Sequence, residues 1–266
     1  MSNLQICSLR SGSKGNAVLV FTEKTKILVD CGISGKNVES CLSGIDISAT
    51  ELDAILITHE HSDHTNSVGV MSRRYNLPIF ANTATFIAMM DKVGKVDDNK
   101  INTFKGNQPF EIGDIAINPF SIPHDAADPV GYSFFNRNKK VSVATDMGHL
   151  SDESIANLQN SDTVLLEANH DLNLLSLCHY PAYLKQRIKS DIGHLSNDTA
   201  AKLAVLLATS GTRQILLGHL SDENNNPHLA FETVNQTLRE NSIKTGKDIM
   251  LDVATRYDIS KIYQAS

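Results

Sequence analysis

The chain has no tryptophan, and only 6% of its residues are aromatic. Its four cysteines, Cys7, Cys31, Cys41 and Cys178, include no C-x-x-C pair. Zinc knuckles and redox dithiols are thereby excluded, and free thiols in a reduced compartment are expected. Cys31 stands apart because it directly follows Asp30. No apolar run approaches the roughly 20 residues needed to cross a bilayer. The opening Met1-Ser2-Asn3-Leu4-Gln5-Ile6-Cys7 lacks the basic start and long apolar stretch of a secretion signal. We therefore expect a cytoplasmic protein without a membrane partner. A basic excess is also missing: 24 Lys and Arg stand against 30 Asp and Glu, for a formal net charge of −6. That balance argues against a broad phosphate-backbone binder. Repeats, low-complexity tracts and linkers are likewise absent.

What is present suits a large buried core. The 266 residues are 41% hydrophobic and 20% charged. No composition shift marks a boundary, so 1–266 is expected as one domain. Short β-branched runs predict strands at Ala17–Phe21, Lys26–Cys31, Ala54–Thr58, Pro78–Ala81, Ile115–Phe120, Gly131–Asn136, Val141–Thr145, Thr163–Glu167, Gln214–Gly218 and Asp248–Ala254. Amphipathic stretches predict helices over about 35–43, 66–75, 83–93, 151–159, 181–190, 196–209 and 228–241, with Pro181 in a first turn and Ser196 as an N-cap. Residues 1–22 are read as a glycine-containing edge hairpin. The first half is richer in strand and the second in helix. This order suits an α/β protein with two sheets sandwiched between helices.

Three of the ten histidines fall within six residues, in His59-Glu60-His61-Ser62-Asp63-His64. They follow an apolar strand, which places them on a loop at its C-terminal edge. In an extended segment residues 59 and 61 point the same way, so both can bind one metal. A turn at Ser62 would send Asp63 and His64 towards a second. Imidazole with carboxylate suits zinc, manganese or iron. The competing reading is a solvated loop with chance histidines, and the density of the run argues against it.

The run from Thr58 to His64 resembles the signature of the metallo-β-lactamase superfamily, whose fold is a four-layer αββα sandwich. Other landmarks match in order. Asp30 in Leu28-Val29-Asp30-Cys31-Gly32 looks like the aspartate that ends a strand and braces the histidine loop. His124 in Ile122-Pro123-His124-Asp125 looks like a third ligand of the first metal. Asp146 in Val143-Ala144-Thr145-Asp146 looks like a bridging carboxylate, and His219 in Leu217-Gly218-His219 like the last ligand of the second metal. Each is weak alone: Asp30 could be only a loop brace, His124 a core histidine and Asp146 a turn residue before Gly148.

Nearly the whole chain is similar to the YycJ/VicX (WalJ)-type family. The similarity runs through Ser11-Gly12-Ser13-Lys14-Gly15-Asn16, Leu165-Leu166-Glu167-Ala168-Asn169-His170-Asp171, Gly193-His194-Leu195-Ser196-Asn197 and Gly218-His219-Leu220-Ser221-Asp222-Glu223-Asn224-Asn225. Arg10 and Lys14 add two positive charges to the opening loop. This resemblance implies a metal-dependent 5′→3′ exonuclease acting on DNA, and on RNA as a second possibility. Metal one would take His59, His61 and His124; metal two would take Asp63, His64 and His219; Asp146 would bridge them. A hydroxide between the cations would attack the phosphodiester. Asp63 would orient it and His194 would protonate the leaving oxygen. His194 resembles a histidine of the superfamily's nuclease branch, yet only residues 147–193 separate it from Asp146, so the large domain that branch often inserts there is absent. As an alternative, His194 could be a helix cap. His149, His179 and His228 are read as surface or structural, and His170 is left open at a strand end.

The same centre also suits a hydrolase of a thioester, lactone or cyclic phosphodiester, which the acidic charge favours. A di-iron redox protein fits less well, because its relatives place a carboxylate where His61 stands. A non-enzymatic regulator is disfavoured by the complete set of ligand types.

Overall fold

The computed structural model describes residues 4–265. In chain order the strands are β1 (Gln5–Arg10), β2 (Ala17–Phe21), β3 (Lys26–Val29), β4 (Ala54–Leu56), β5 (Ile79–Asn82), β6 (Ile101–Phe104), β7 (Phe110–Ile112), β8 (Ile115–Ser121), β9 (Val130–Asn136), β10 (Lys139–Ala144), β11 (Thr163–Glu167), β12 (Gln214–Gly218), β13 (Met250–Val253) and β14 (Tyr263–Gln264). The helices are α1 (Gly35–Ser43), α2 (Ser62–Thr65), α3 (Val68–Tyr75), α4 (Thr83–Val93), α5 (Asp152–Leu158), α6 (Leu172–Leu177), α7 (Ala182–Lys189), α8 (Asn197–Thr209) and α9 (Pro227–Glu240).

Two seven-stranded sheets result, ordered β14-β1-β2-β3-β4-β5-β6 and β13-β12-β11-β10-β9-β8-β7. Each is half antiparallel and half parallel. In the first, β1, β2 and β3 pair antiparallel and β3 to β6 parallel; in the second, β7 to β10 pair antiparallel and β10 to β13 parallel. Parallel strands need crossovers, and the helices supply them.

Period-two alternation explains the four layers. Ile27, Val29, Ala54 and Leu56 pack with Val141, Val143, Leu165 and Leu216 of the opposite sheet. Their neighbours Leu28, Ile55 and Ile57 turn outward to Val38 of α1, Met71 of α3 and Met89 of α4. On the other side Val164, Leu166, Ile215 and Leu217 pack on Ala200, Leu203 and Leu207 of α8 and on Val234 and Leu238 of α9. Both faces of the parallel strands are therefore buried, which is why they read as continuous apolar runs. The expected αββα sandwich is present.

Helix starts follow capping chemistry. Ser34, Ser151, Asp171, Ser196 and Asn226 each accept a hydrogen bond from a first-turn N–H. Pro181 is the N-cap residue of α7 rather than lying in its first turn. The edge hairpin appears as β1 and β2, with residues 1–3 of the expected 1–22, and of the opening heptapeptide, outside the described residues. The helix expected over 66–75 starts at Val68, and Ser62–Thr65 forms a separate short turn of helix, α2. Among the described residues no helix is long and apolar enough to cross a membrane.

Candidate metal centre

The C-terminal ends of the parallel strands of both sheets meet at one cleft, the usual ligand site of open α/β sheets. Asp30 follows β3, His59 lies just beyond β4, Asp146 just beyond β10, Glu167 ends β11 and His219 follows β12. His124 comes three residues after β8, and Asp63 and His64 lie on α2. Asp63 thus sits on a helical turn rather than the loop that the sequence suggests.

Three imidazoles converge first. His59 Nε2 is 3.1 Å from His61 Nδ1, which is 3.2 Å from His124 Nε2. Ligands about 2.0–2.1 Å from a common tetrahedral ion stand about 3.3 Å apart. The spacing is that of nitrogens sharing a cation. A second group, Asp63, His64 and His219, lies beside it, with His64 Nε2 3.5 Å from Asp63 Oδ2. Asp146 joins the two groups: its Oδ1 is 3.1 Å from His219 Nε2 and 3.8 Å from His124 Nε2, and its Oδ2 is 3.2 Å from His64 Nε2. Asp146 Oδ2 is buried with no aligned hydrogen-bond donor among the described residues. A buried carboxylate oxygen in that condition is costly unless a cation neutralises it. The donor set therefore fits divalent metal.

The surrounding contacts fix which nitrogen faces inward. His124 Nδ1 lies 3.0 Å from the Gly193 carbonyl, which can only accept, so Nδ1 carries the proton and Nε2 keeps its lone pair. His64 Nδ1 lies 2.7 Å from Asp30 Oδ2 and is oriented the same way. Asp30 also accepts from the Thr58 N–H at 2.9 Å and the Thr58 hydroxyl at 2.8 Å, which makes it the brace of the histidine loop. Asn16 spans the second group, with Nδ2 3.0 Å from His64 Nε2 and Oδ1 3.3 Å from His219 Nδ1. Gly32 has to be glycine, since a Cβ there would lie 1.6 Å from the Asp63 carbonyl oxygen.

Electrostatics agree with a ligand role for His59, His124 and His219. Burial drives His59, His124 and His219 below the ordinary imidazole range and keeps them neutral, the form that donates a lone pair. Burial acts the same way on His64, but the carboxylates of Asp146, Asp30 and Asp63 outweigh it and raise that group. Burial opposes ionisation of Asp146, yet the surrounding imidazoles hold its carboxyl well below the usual range.

His194 is not a helix cap; Ser196 fills that role. Its Nδ1 lies 2.8 Å from Glu167 Oε1 and 3.6 Å from Asp146 Oδ1. Burial works against its charge, but Glu167 and Asp146 push it up to about 9. Glu167 Oε2 accepts from the N–H groups of Met147 at 2.7 Å and Leu195 at 3.2 Å. Glu167 is the functional residue that sequence reasoning passed over, although it sits inside the quoted Leu165–Asp171 motif. The only sequence signal was a carboxylate ending an otherwise apolar strand. Asp146, Glu167, His194 and His219 also cluster closely enough to hold an ion. With Glu167 already bonded to two amides and an imidazole, Glu167 and His194 form a carboxylate–imidazole pair beside the metal groups.

The cleft, about 220 Å³, is lined by Asp63, Asp146, His194 and His219 and also by Tyr180, Leu184 and Arg187. Cys31 lies outside it: the thiol contacts Ser67 Oγ at 3.0 Å, and burial pushes it up to about 12. His170 is buried beside β11, where burial lowers it to about 4, while His149, His179 and His228 are exposed. Of the two opening-loop cations, Lys14 pairs with Asp222.

Residues 25–220 match the family model described as the beta-lactamase superfamily domain. The chain is 43% identical to the exodeoxyribonuclease WalJ of Streptococcus pneumoniae over 242 residues, 90% of each protein. It is 38% identical to the exodeoxyribonuclease YycJ of Bacillus anthracis over 244 residues, 92% of each. The solved structure of the metallo-β-lactamase-fold protein YhfI from Bacillus subtilis superposes with a TM-score of 0.74 at 19% identity, covering 99% of this chain and all of that one. The chain belongs to the metallo-β-lactamase superfamily and, within it, to the YycJ/WalJ type.

Proposed function

We propose that this single-domain chain is a cytoplasmic, metal-dependent exonuclease that trims DNA, and RNA less readily, from the 5′ end. The observation that carries the reading is the pair of histidine clusters joined at Asp146, in a chain so similar to named exodeoxyribonucleases. The free thiols of Cys7, Cys31, Cys41 and Cys178 agree with a reduced compartment. His59, His61 and His124 would hold one divalent ion of zinc, manganese or iron; Asp63, His64 and His219 would hold another, with Asp146 shared. When bound, the ions would make a water acidic enough to attack at neutral pH and would offset phosphodiester charge. Asp63 would accept a hydrogen bond from the attacking water and aim it at phosphorus. The P–O3′ bond breaks, and His194 gives its Nε2 proton to the departing O3′ while Glu167 stabilises the imidazolium before transfer. The product is a nucleoside 5′-phosphate.

The test is a digest of 5′- and 3′-labelled DNA and RNA by metal-reconstituted protein. Early release of labelled mononucleotide from the 5′ label is expected. If every nucleic acid stays intact while thioesters, lactones or cyclic phosphodiesters are hydrolysed, the small-molecule reading replaces this one.

A further inference from the structure

The loop between β1 and β2 has two faces. Ser13 lines the metal-centre cleft. Its neighbours Gly12 and Lys14 line a separate cavity of about 240 Å³, whose other walls carry Arg10, Asn37, Arg256 and Tyr257. Consecutive residues of one loop thus border both spaces, and the loop is a thin partition between them.

The second cavity is cationic in an acidic protein. Lys14 and Arg256 share the single carboxylate of Asp222. Among the described residues Arg10 forms no ion pair; its guanidinium donates to the Leu9 carbonyl at 2.9 Å. Three cations against one carboxylate leave about two positive charges, and no Asp or Glu is among the residues lining the cavity. Local field rather than net charge determines where an anion settles. The parts also differ in exposure and in how many bonds hold them. Arg256 is held by Asp222 and the Ser221 carbonyl, and it lies flat over the loop because residue 12 is glycine: a Cβ there would be 2.8 Å from Arg256 Cγ. Lys14 is 71% exposed and, among the described residues, is anchored only at Asp222. Tyr257 is 68% exposed beside these cations. Cations that follow a backbone, next to an open aromatic face, are what single-stranded nucleic acid recognition uses.

We propose that this cavity is a second subsite, which binds the phosphodiester and base of a nucleotide beyond the one being cut. The inference rests on the DNA-exonuclease reading above. A strand passing over Ser13 has its terminal nucleotide in the cleft, its next phosphate against Arg10 and Lys14, and a base against Tyr257. The arrangement supplies a local grip where the chain lacks a large inserted domain.

The experiment compares wild type, R10Q/K14Q and R10K/K14R as full-length, metal-loaded proteins. KM is measured for single-stranded oligodeoxynucleotides of two to eight residues, and Kd for a fluorescent octamer whose phosphorothioate linkages resist cleavage is measured by anisotropy on the same metal-loaded proteins across a salt series. In wild type KM falls as length increases from two to four residues. R10Q/K14Q flattens that fall, weakens octamer binding about tenfold, and lowers the slope of log Kd against log salt by about 0.7, the value for one lost phosphate contact on a single strand. R10K/K14R retains the slope. Unchanged length dependence and salt slope in R10Q/K14Q overturn the subsite while leaving the exonuclease reading standing. Wild type that neither binds nor cuts any oligonucleotide overturns the exonuclease reading, and the subsite with it.

Discussion

Glu167 and His194 form a carboxylate–imidazole pair 2.8 Å apart, the carboxylate at the end of β11 and the imidazole just before α8. The two backbone amides on the other carboxylate oxygen lock Glu167 in place. It therefore orients His194 and favours its protonated form without reaching the cleft itself. Glu167→Gln is expected to reduce kcat about tenfold to a hundredfold, the usual effect of losing such a support. Metal content by elemental analysis should stay at the wild-type value. Loss of metal in this variant would instead make Glu167 a ligand.

Asp63 sits on α2 at the cleft, outside the apolar core. Asp63→Ala is expected to abolish turnover while moving the melting temperature by only a few degrees. Near-wild-type turnover at saturating metal would remove Asp63 from both its ligand and its orienting role.

Freshly purified or reconstituted protein is expected to carry two divalent ions per chain, about 3.5–4 Å apart as in two-metal hydrolases. Anomalous scattering and elemental analysis measure this. Chelation should lower the melting temperature as well as stop catalysis, since the ions stabilise the folded state that binds them. A chelated protein that melts at the same temperature would contradict a metal bound at Asp146.

Asp30 holds Thr58 by two hydrogen bonds and His64 by one, all buried. Asp30→Ala removes one partner from a buried ionic network, which usually costs about 3–5 kcal/mol. Urea unfolding of the chelated variant against the chelated wild type isolates this term from metal loss. A difference below about 1 kcal/mol would show that the loop is held by packing instead.

Legibility in the sequence followed how local each signal was. β2, α1, α4, β11 and β12 have the bounds that apolar pattern and caps suggest. Strands β6, β7 and β14 were missed because they are short edge segments: Ile101-Asn102-Thr103-Phe104 has no alternation to read, and β14 is two residues pairing with Gln5 and Ile6. Helix α6, six residues beginning at an Asp171 cap, is too short for periodicity to show. At the site, His59, His61, Asp63 and His64 announce themselves by density. His124, Asp146 and His219 could be chosen only through family resemblance. Asn16 and Glu167 could not be assigned roles, because each acts on a histidine 27 or more positions away, a relationship only the fold creates.

Asp30, Asp146 and His219 all adopt left-handed backbone conformations, with φ of 58°, 62° and 54°. Each turns the chain sharply at a strand end, and for residues other than glycine such a conformation costs of order 1–3 kcal/mol. The centre is therefore assembled at the expense of the scaffold that carries it. Glycine at these positions would relax the backbone, but at residue 30 it would give up three buried hydrogen bonds and at residues 146 and 219 the groups that face the cleft. At residues 30, 146 and 219 the strained turn and the side chain it presents therefore stand or fall together, and resilience there depends on the same groups as activity.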